Sequence, residues 1–311
     1  MESSLSYEFD YEDNKIYEEL ELNSLIEFLE TTGYVNRKIK TGYLCYEHYK
    51  QIFQYSLIKF YNIKSIYKTD LYKDLYYRYN SIMIDSNSNI EEISTHLINT
   101  FNNTSEKVCF FVDIRNKTTL RNVHTTLLIY RPLTKSLEHF DSSGVSSYGY
   151  IELFNEIIQN ILNNVESCTF ISSKTLCSLD EYSDELANVR SLNFICGYVK
   201  TPNFHGWCQI WSLFMYEMIF KYPNLSSIEI IKIIYSYLKG NRIKDAGYIA
   251  NSIIRGYYRI ILGRTNLFLN EHSLWINSEV LKDFDPSYVL TDRKLLNVIE
   301  VEFQNRVTDL I

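Results

Sequence analysis

Thr125-Thr126-Leu127-Leu128-Ile129-Tyr130-Arg131, then Pro132-Leu133-Thr134-Lys135, then Ser136-Leu137-Glu138-His139-Phe140-Asp141 reads as two strands joined by a hairpin turn. The runs are rich in β-branched and aromatic residues, and the proline-led tetrapeptide between them interrupts both. If Arg131 pairs with Ser136, the register places Asp141 opposite Thr126. Side chains alternate along a strand, so Thr126 shares a face with His124. His124 and Asp141 are then diagonal neighbours, about 7 Å or less apart at Cβ. A slip of one residue would separate them, and Glu138 points to the other face in this register.

Working outward, Ser88-Asn89-Ile90-Glu91 has capping-box spacing, and Ile90, Ile93, Leu97 and Phe101 then recur at helical period. A helix over about 88–102 is expected. Val108-Cys109-Phe110-Phe111-Val112-Asp113-Ile114 reads as a buried strand. Residues 150–165 carry a strong amphipathic helix that would cover one face of the sheet. Further strands are expected near Cys168–Ser172 and Asn193–Val199, with Ser173–Arg190 a polar loop between them. After Cys208, positions 211, 214, 215, 218 and 219 form one apolar stripe. Ser226-Ser227-Ile228-Glu229 starts another helix, ending at Gly240, and a third covers roughly Gly247–Leu262.

The 311 residues are 46% hydrophobic and 22% charged, enough for a substantial core. Three regions are expected: a helical N-terminal region over 1–85 for partner or substrate binding, with a helix in Lys15–Thr31, a core over 86–263, and a C-terminal extension over 264–311. Charge is uneven: residues 1–22 hold eight acidic side chains and one Lys, whereas residues 35–78 hold nine basic and three acidic ones. The ends have opposite sign and would attract each other. No signal peptide is read at the N-terminus, and the most apolar run, near 203–220, contains His205, Gln209 and Glu217, against a membrane span. Six cysteines without CxxC pairing support neither a zinc cluster nor a redox motif. Reduced thiols, a cytoplasmic location and no cofactor or metal are expected.

Candidate chemistry lies in Phe204-His205-Gly206-Trp207-Cys208-Gln209-Ile210-Trp211-Ser212-Leu213-Phe214, a glycine turn opening an apolar-faced helix. Unpaired N–H groups and the dipole at a helix start favour a thiolate, and a facing imidazolium adds to this. Cys208 is the candidate nucleophile, His124 its proton acceptor, and Asp141 the group that fixes the imidazole tautomer. The oxyanion would meet the Cys208 N–H and a side-chain donor upstream, for which Asn203 is the candidate. His205 and His139 are rival histidines. Taken singly, Cys208 reads as an inert buried thiol and His124 as a structural histidine; the combination and its contexts favour a site. Trp211 and Phe214 read as core, and the other cysteines as fillers of core or surface positions.

The block Phe110-Phe111-Val112, His124-Thr125-Thr126-Leu127-Leu128-Ile129-Tyr130, Glu138-His139-Phe140-Asp141-Ser142-Ser143 and Gly206-Trp207-Cys208 resembles the Ulp1/adenain-type cysteine proteases. The Cys-x-x-Trp-Ser-Leu helix, with Tyr222-Pro223-Asn224 and Ile254-Arg255-Gly256-Tyr257, looks most like versions encoded by large DNA viruses. The resemblance covers roughly residues 106–262. It implies a papain-like α+β fold with a central, mainly antiparallel sheet and a thiol hydrolase of peptide or isopeptide bonds, often after small residues such as Gly. Implied partners are viral structural precursors or ubiquitin-like conjugates, in the host cytoplasm or virion. The chain departs from the family in three places: it lacks the usual Gln before the nucleophile, Thr125 replaces an aromatic after the His, and Trp207 replaces an Asp before the Cys.

Two other functions fit the same residues. An acyltransferase would use the same acyl-enzyme and depend on an acyl donor such as acyl-coenzyme A. A catalytically degenerate interaction protein would have an unreactive Cys208. The basic, aromatic segment 35–78 is a candidate for weak nucleic-acid contact, although a solvated basic helix with an aromatic core face explains it more cheaply.

Overall fold

The computed structural model describes residues 21, 23–30, 54, 57, 58, 60, 61, 63, 80–115, 123–143, 150–176, 192, 207–238, 243–271 and 301. They form an α+β fold around a five-stranded sheet. In chain order the elements are β1 (Ser81–Ile84), α1 (Ile90–Asn103), β2 (Val108–Arg115), β3 (Val123–Arg131), β4 (Ser136–Phe140), α2 (Ile151–Asn164), β5 (Thr169–Ile171), α3 (Ser173–Leu176), α4 (Trp207–Lys221), α5 (Ser227–Leu238) and α6 (Ile243–Glu271).

The strands lie in sequence order across the sheet. β2–β3 and β3–β4 are antiparallel, whereas β1–β2 and β4–β5 are parallel. The sheet is therefore mixed, where a mainly antiparallel one was expected. The cause is connection length: α1 separates β1 from β2 and α2 separates β4 from β5, and such crossovers return the chain in the same direction. β1 falls within the region 1–85 read as helical, yet its four side chains are buried and it is a strand of this sheet.

β2 is apolar at nearly every position because both of its faces are covered. Val108, Phe110, Val112 and Ile114 meet Leu128, Tyr130 and Leu137 under α1 and α2. Cys109 and Phe111 join Leu127, Ile129 and Phe140 under α4, α5 and α6, with Leu25, Leu29, Leu57 and Ile58 in the same core. Phe110 meets Phe101 edge-on at 6.1 Å, while Phe111 on the opposite face stacks on Tyr216 at 5.1 Å. Trp211 and Phe214 are fully buried core residues, as the stripe predicts.

The hairpin forms in the expected register, with Arg131 opposite Ser136 and Leu127 opposite Phe140. Glu138 turns to the other face, where its carboxylate accepts from Arg131 Nε at 2.9 Å and from Ser227 Oγ of α5. At α5 the expected capping box is complete: Ser226 N donates to Glu229 Oε2 at 2.7 Å and Glu229 N to Ser226 Oγ at 3.2 Å. At α1 the cap is Asn89, which accepts from Glu92 N at 3.3 Å. Ser88 is drawn instead into the turn after β1, where Asp85 N donates to its hydroxyl at 2.8 Å. α6 runs on from the expected 247–262 to Glu271, across the 263/264 boundary. Residues 23–30 are helical as expected, whereas 15–20, the proposed strand at 193–199 and the start of the nucleic-acid candidate at 35–53 lie outside the described residues. Among the described residues no helix is long and apolar enough to cross a membrane.

Candidate active site

The antiparallel strands bring the start of β3 and the end of β4 to one end of the sheet. His124, the second residue of β3, and Asp141, the first residue after β4, meet there: His124 Nε2 lies 2.9 Å from Asp141 Oδ1. The same oxygen accepts Ser143 N at 2.7 Å, so the local turn aims the carboxylate before any ligand arrives. His124 is 3% exposed and Asp141 is fully buried.

Cys208 is the second residue of α4, a free and half-buried thiol. Cys208 is near enough to the His124 ring for its charge to act on the imidazole. By strict alternation His124 shares the face of Leu128 and Tyr130, whereas α4 packs on the opposite face through Ile210, Trp211 and Phe214. His124 sits at the start of β3, and Cys208 in the first turn of α4.

Electrostatics follow this geometry. Burial pushes the His124 imidazolium down, but the negative charges of Asp141 and Cys208 and its hydrogen bonds to both raise it well above its ordinary value. Burial likewise raises the Asp141 carboxyl, and the charge and hydrogen bond of His124 with the Ser143 N–H bring it below its ordinary value. The two shifts together favour an imidazolium–carboxylate pair between His124 and Asp141.

No family model matches the chain, and no curated protein or solved structure matches it.

The rival groups are placed elsewhere. His139 is buried with its ring 4.6 Å from Phe154 of α2, and desolvation lowers it to about 4 despite the nearby Asp141 charge, so it sits neutral under that helix. Glu138 is committed to Arg131 and Ser227. Cys109 is fully buried and its thiol is pushed up to about 12 by burial. Asn203 and His205 lie outside the described residues, as do Cys45, Cys177 and Cys196. Gln209, the residue after Cys208 and 7% exposed, brings a nearly buried carboxamide to the start of α4.

A buried polar trio adjoins the pair. Thr125 Oγ1 donates to Asp113 Oδ1 at 2.6 Å, and Ser212 Oγ of α4 donates to the Thr125 carbonyl at 3.1 Å. Asp113 was legible only as the single acid in an apolar strand, and Ser212 only as a polar break in an apolar stripe. Nothing in the sequence joined residues 113, 125 and 212.

Proposed function

We propose that this protein is a thiol hydrolase of Ulp1/adenain type, cleaving peptide or isopeptide bonds with Cys208, His124 and Asp141 on a papain-like framework. One observation carries the reading: a buried imidazole hydrogen-bonds a buried carboxylate and feels the charge of a part-buried thiol at a helix start. The order of these residues along the chain and the hairpin that holds two of them support it. Viral structural precursors or ubiquitin-like conjugates are the substrate classes the resemblance implies.

In this reading the Cys208 thiolate attacks the scissile carbonyl carbon, and the carbonyl π electrons move onto oxygen. N–H groups at the start of α4, unsatisfied within the helix, would take up that charge. Asn203 is the expected side-chain donor. As the intermediate collapses, the carbon–nitrogen bond breaks and the imidazolium of His124 gives its proton to the leaving amine. Water then loses a proton to His124, attacks the thioester, and releases a carboxylic acid and the free thiol. Asp141 holds the ring orientation through both halves and stabilises the imidazolium.

The test is mass-resolved alkylation of the native protein at neutral pH by a limiting thiol electrophile. Cys208 is expected to label ahead of the other five cysteines. In His124→Ala that labelling should fall by about 10²-fold or more, in line with losing a positioned base. Labelling that ignores Cys208, or is unchanged without His124, overturns the reading. Product formation that requires acyl-coenzyme A would turn it into an acyl transfer.

A further inference from the structure

We propose that Ser212, with Thr125 and Asp113, is the positioning unit that sets the separation of Cys208 and His124; the inference rests on the hydrolase reading above. Ser212 follows Cys208 by four residues, so it lies about one helical turn, roughly 6 Å, further along the same side of α4. Its hydroxyl donates to the Thr125 carbonyl at 3.1 Å, and Thr125 is the residue after His124. One helical turn and this one hydrogen bond thus link Cys208 to the main chain next to His124.

Thr125 is held at both ends. Its hydroxyl donates to Asp113, its cross-strand partner on β2, at 2.6 Å. Its main chain lies beyond the last β3–β4 pair, Leu127 with Phe140, so pairing with β4 has ended where Ser212 takes hold. Ser212 is fully buried, and Asp113 and Thr125 are nearly so. Around them the contact between α4 and the sheet is apolar, through Phe111, Leu127, Ile210, Trp211 and Phe214.

That setting explains why polar groups are placed there. Apolar packing is non-directional and tolerates small rotations or slides of a helix over a sheet. A hydrogen bond to a main-chain oxygen fixes both. Displacement of a reacting group by about 1 Å costs about 10²-fold in rate, so the reacting pair gains what the bond fixes. Asp141 and Ser143 orient the far side of the ring, and Thr125, Asp113 and Ser212 bind its strand to the nucleophile's helix. Thr125 stands where the resemblance expects an aromatic, and a ring there would supply bulk but no hydroxyl for Asp113.

The experiment is a double-mutant cycle read as the rate and pH profile of Cys208 alkylation in the full chain. Ser212→Ala is expected to slow labelling about tenfold at neutral pH in the wild-type background, and to have no further effect in His124→Ala. The acid limb of the profile should move up, toward that of an unassisted thiol. A purely structural loss would act equally in both backgrounds and leave the limb in place. Thr125→Val should reproduce the effect and Thr125→Ser should restore the rate, which keeps the test available if Ser212→Ala fails to fold. If His124→Ala slows labelling but Ser212→Ala and Thr125→Val do not, the positioning role is overturned and the hydrolase reading stands. If His124→Ala itself changes nothing, both fall.

Discussion

A fully buried carboxylate such as Asp141 stays ionised only if neighbouring positive charge and donors outweigh its desolvation. His124 and Ser143 N do so here, both on Oδ1. In Asp141→Asn the size is kept and the charge lost, so the largest influence raising His124 disappears. Cys208 alkylation at pH 7 should fall by about tenfold or more, the worth of one pKa unit; an unchanged rate would show that Asp141 does not tune the ring. His139 makes the opposite case. Its imidazole is lowered by burial from 6.5 to about 4, so the unfolded chain takes up a proton before the folded one does. Its contribution to stability is complete above pH 6.5 and is lost as pH falls toward 4. His139→Leu removes that titration and puts an apolar side chain against Phe154. Urea unfolding at pH 4.5 and 7.5 should show the variant gaining about 2–3 kcal/mol on the wild type at the lower pH. Its Cys208 labelling should be unaffected, which would separate His139 from the base.

At the scale of elements, the hairpin was legible because two requirements agreed: alternation fixed the faces, and a four-residue turn fixed the register. That agreement is why the sequence alone places His124 beside Asp141. The α5 cap was legible for the same reason, since Ser226 and Glu229 satisfy each other within one turn. β1 was not legible. Its four residues, Ser81–Ile84, are too few to show a period, and burial on every side removes the alternation that would mark a strand. The partnership of Glu138 was also hidden, although its direction was not, because Ser227 lies 89 residues away. This carboxylate joins the hairpin to α5 through Arg131 and Ser227. Glu138→Ala leaves the mostly buried Arg131 without its counter-charge. A loss of about 3–5 kcal/mol in unfolding free energy is expected, with the Cys208 pH profile of the remaining folded protein unchanged. A shifted profile would mean that Glu138 belongs to the site after all.

Across the whole molecule, the helix that carries Cys208 is the hub, because α4 touches the sheet on one side and α5, α6 and the N-terminal helical residues on the other. The sequence reading separated residues 1–85, the core and the C-terminal extension by composition, which cannot register a buried charge shared by all three. Glu217 of α4 is that charge. It is fully buried, accepts Tyr61 OH at 2.6 Å and pairs with Arg264 Nη1 of α6 at 2.9 Å. Burial and the Glu217 charge raise the Tyr61 hydroxyl, so it remains a donor across the working pH range. Arg264 also covers the Phe60 ring at 4.5 Å, which ties residues 60 and 61 to α6 by a second contact. Glu217→Ala removes the common acceptor of two elements that are far apart in sequence. Stability should fall by roughly 3–5 kcal/mol, the cost of breaking a buried pair from one side. Hydrogen exchange should locate the loss: amides of residues 57, 58, 60, 61 and 63 and in α6 should open first, while β2 and β3, covered on both faces, should exchange only with global unfolding. Uniform acceleration across the sheet would instead mean that Glu217 stabilises α4 alone and that the N-terminal residues dock by apolar packing without it.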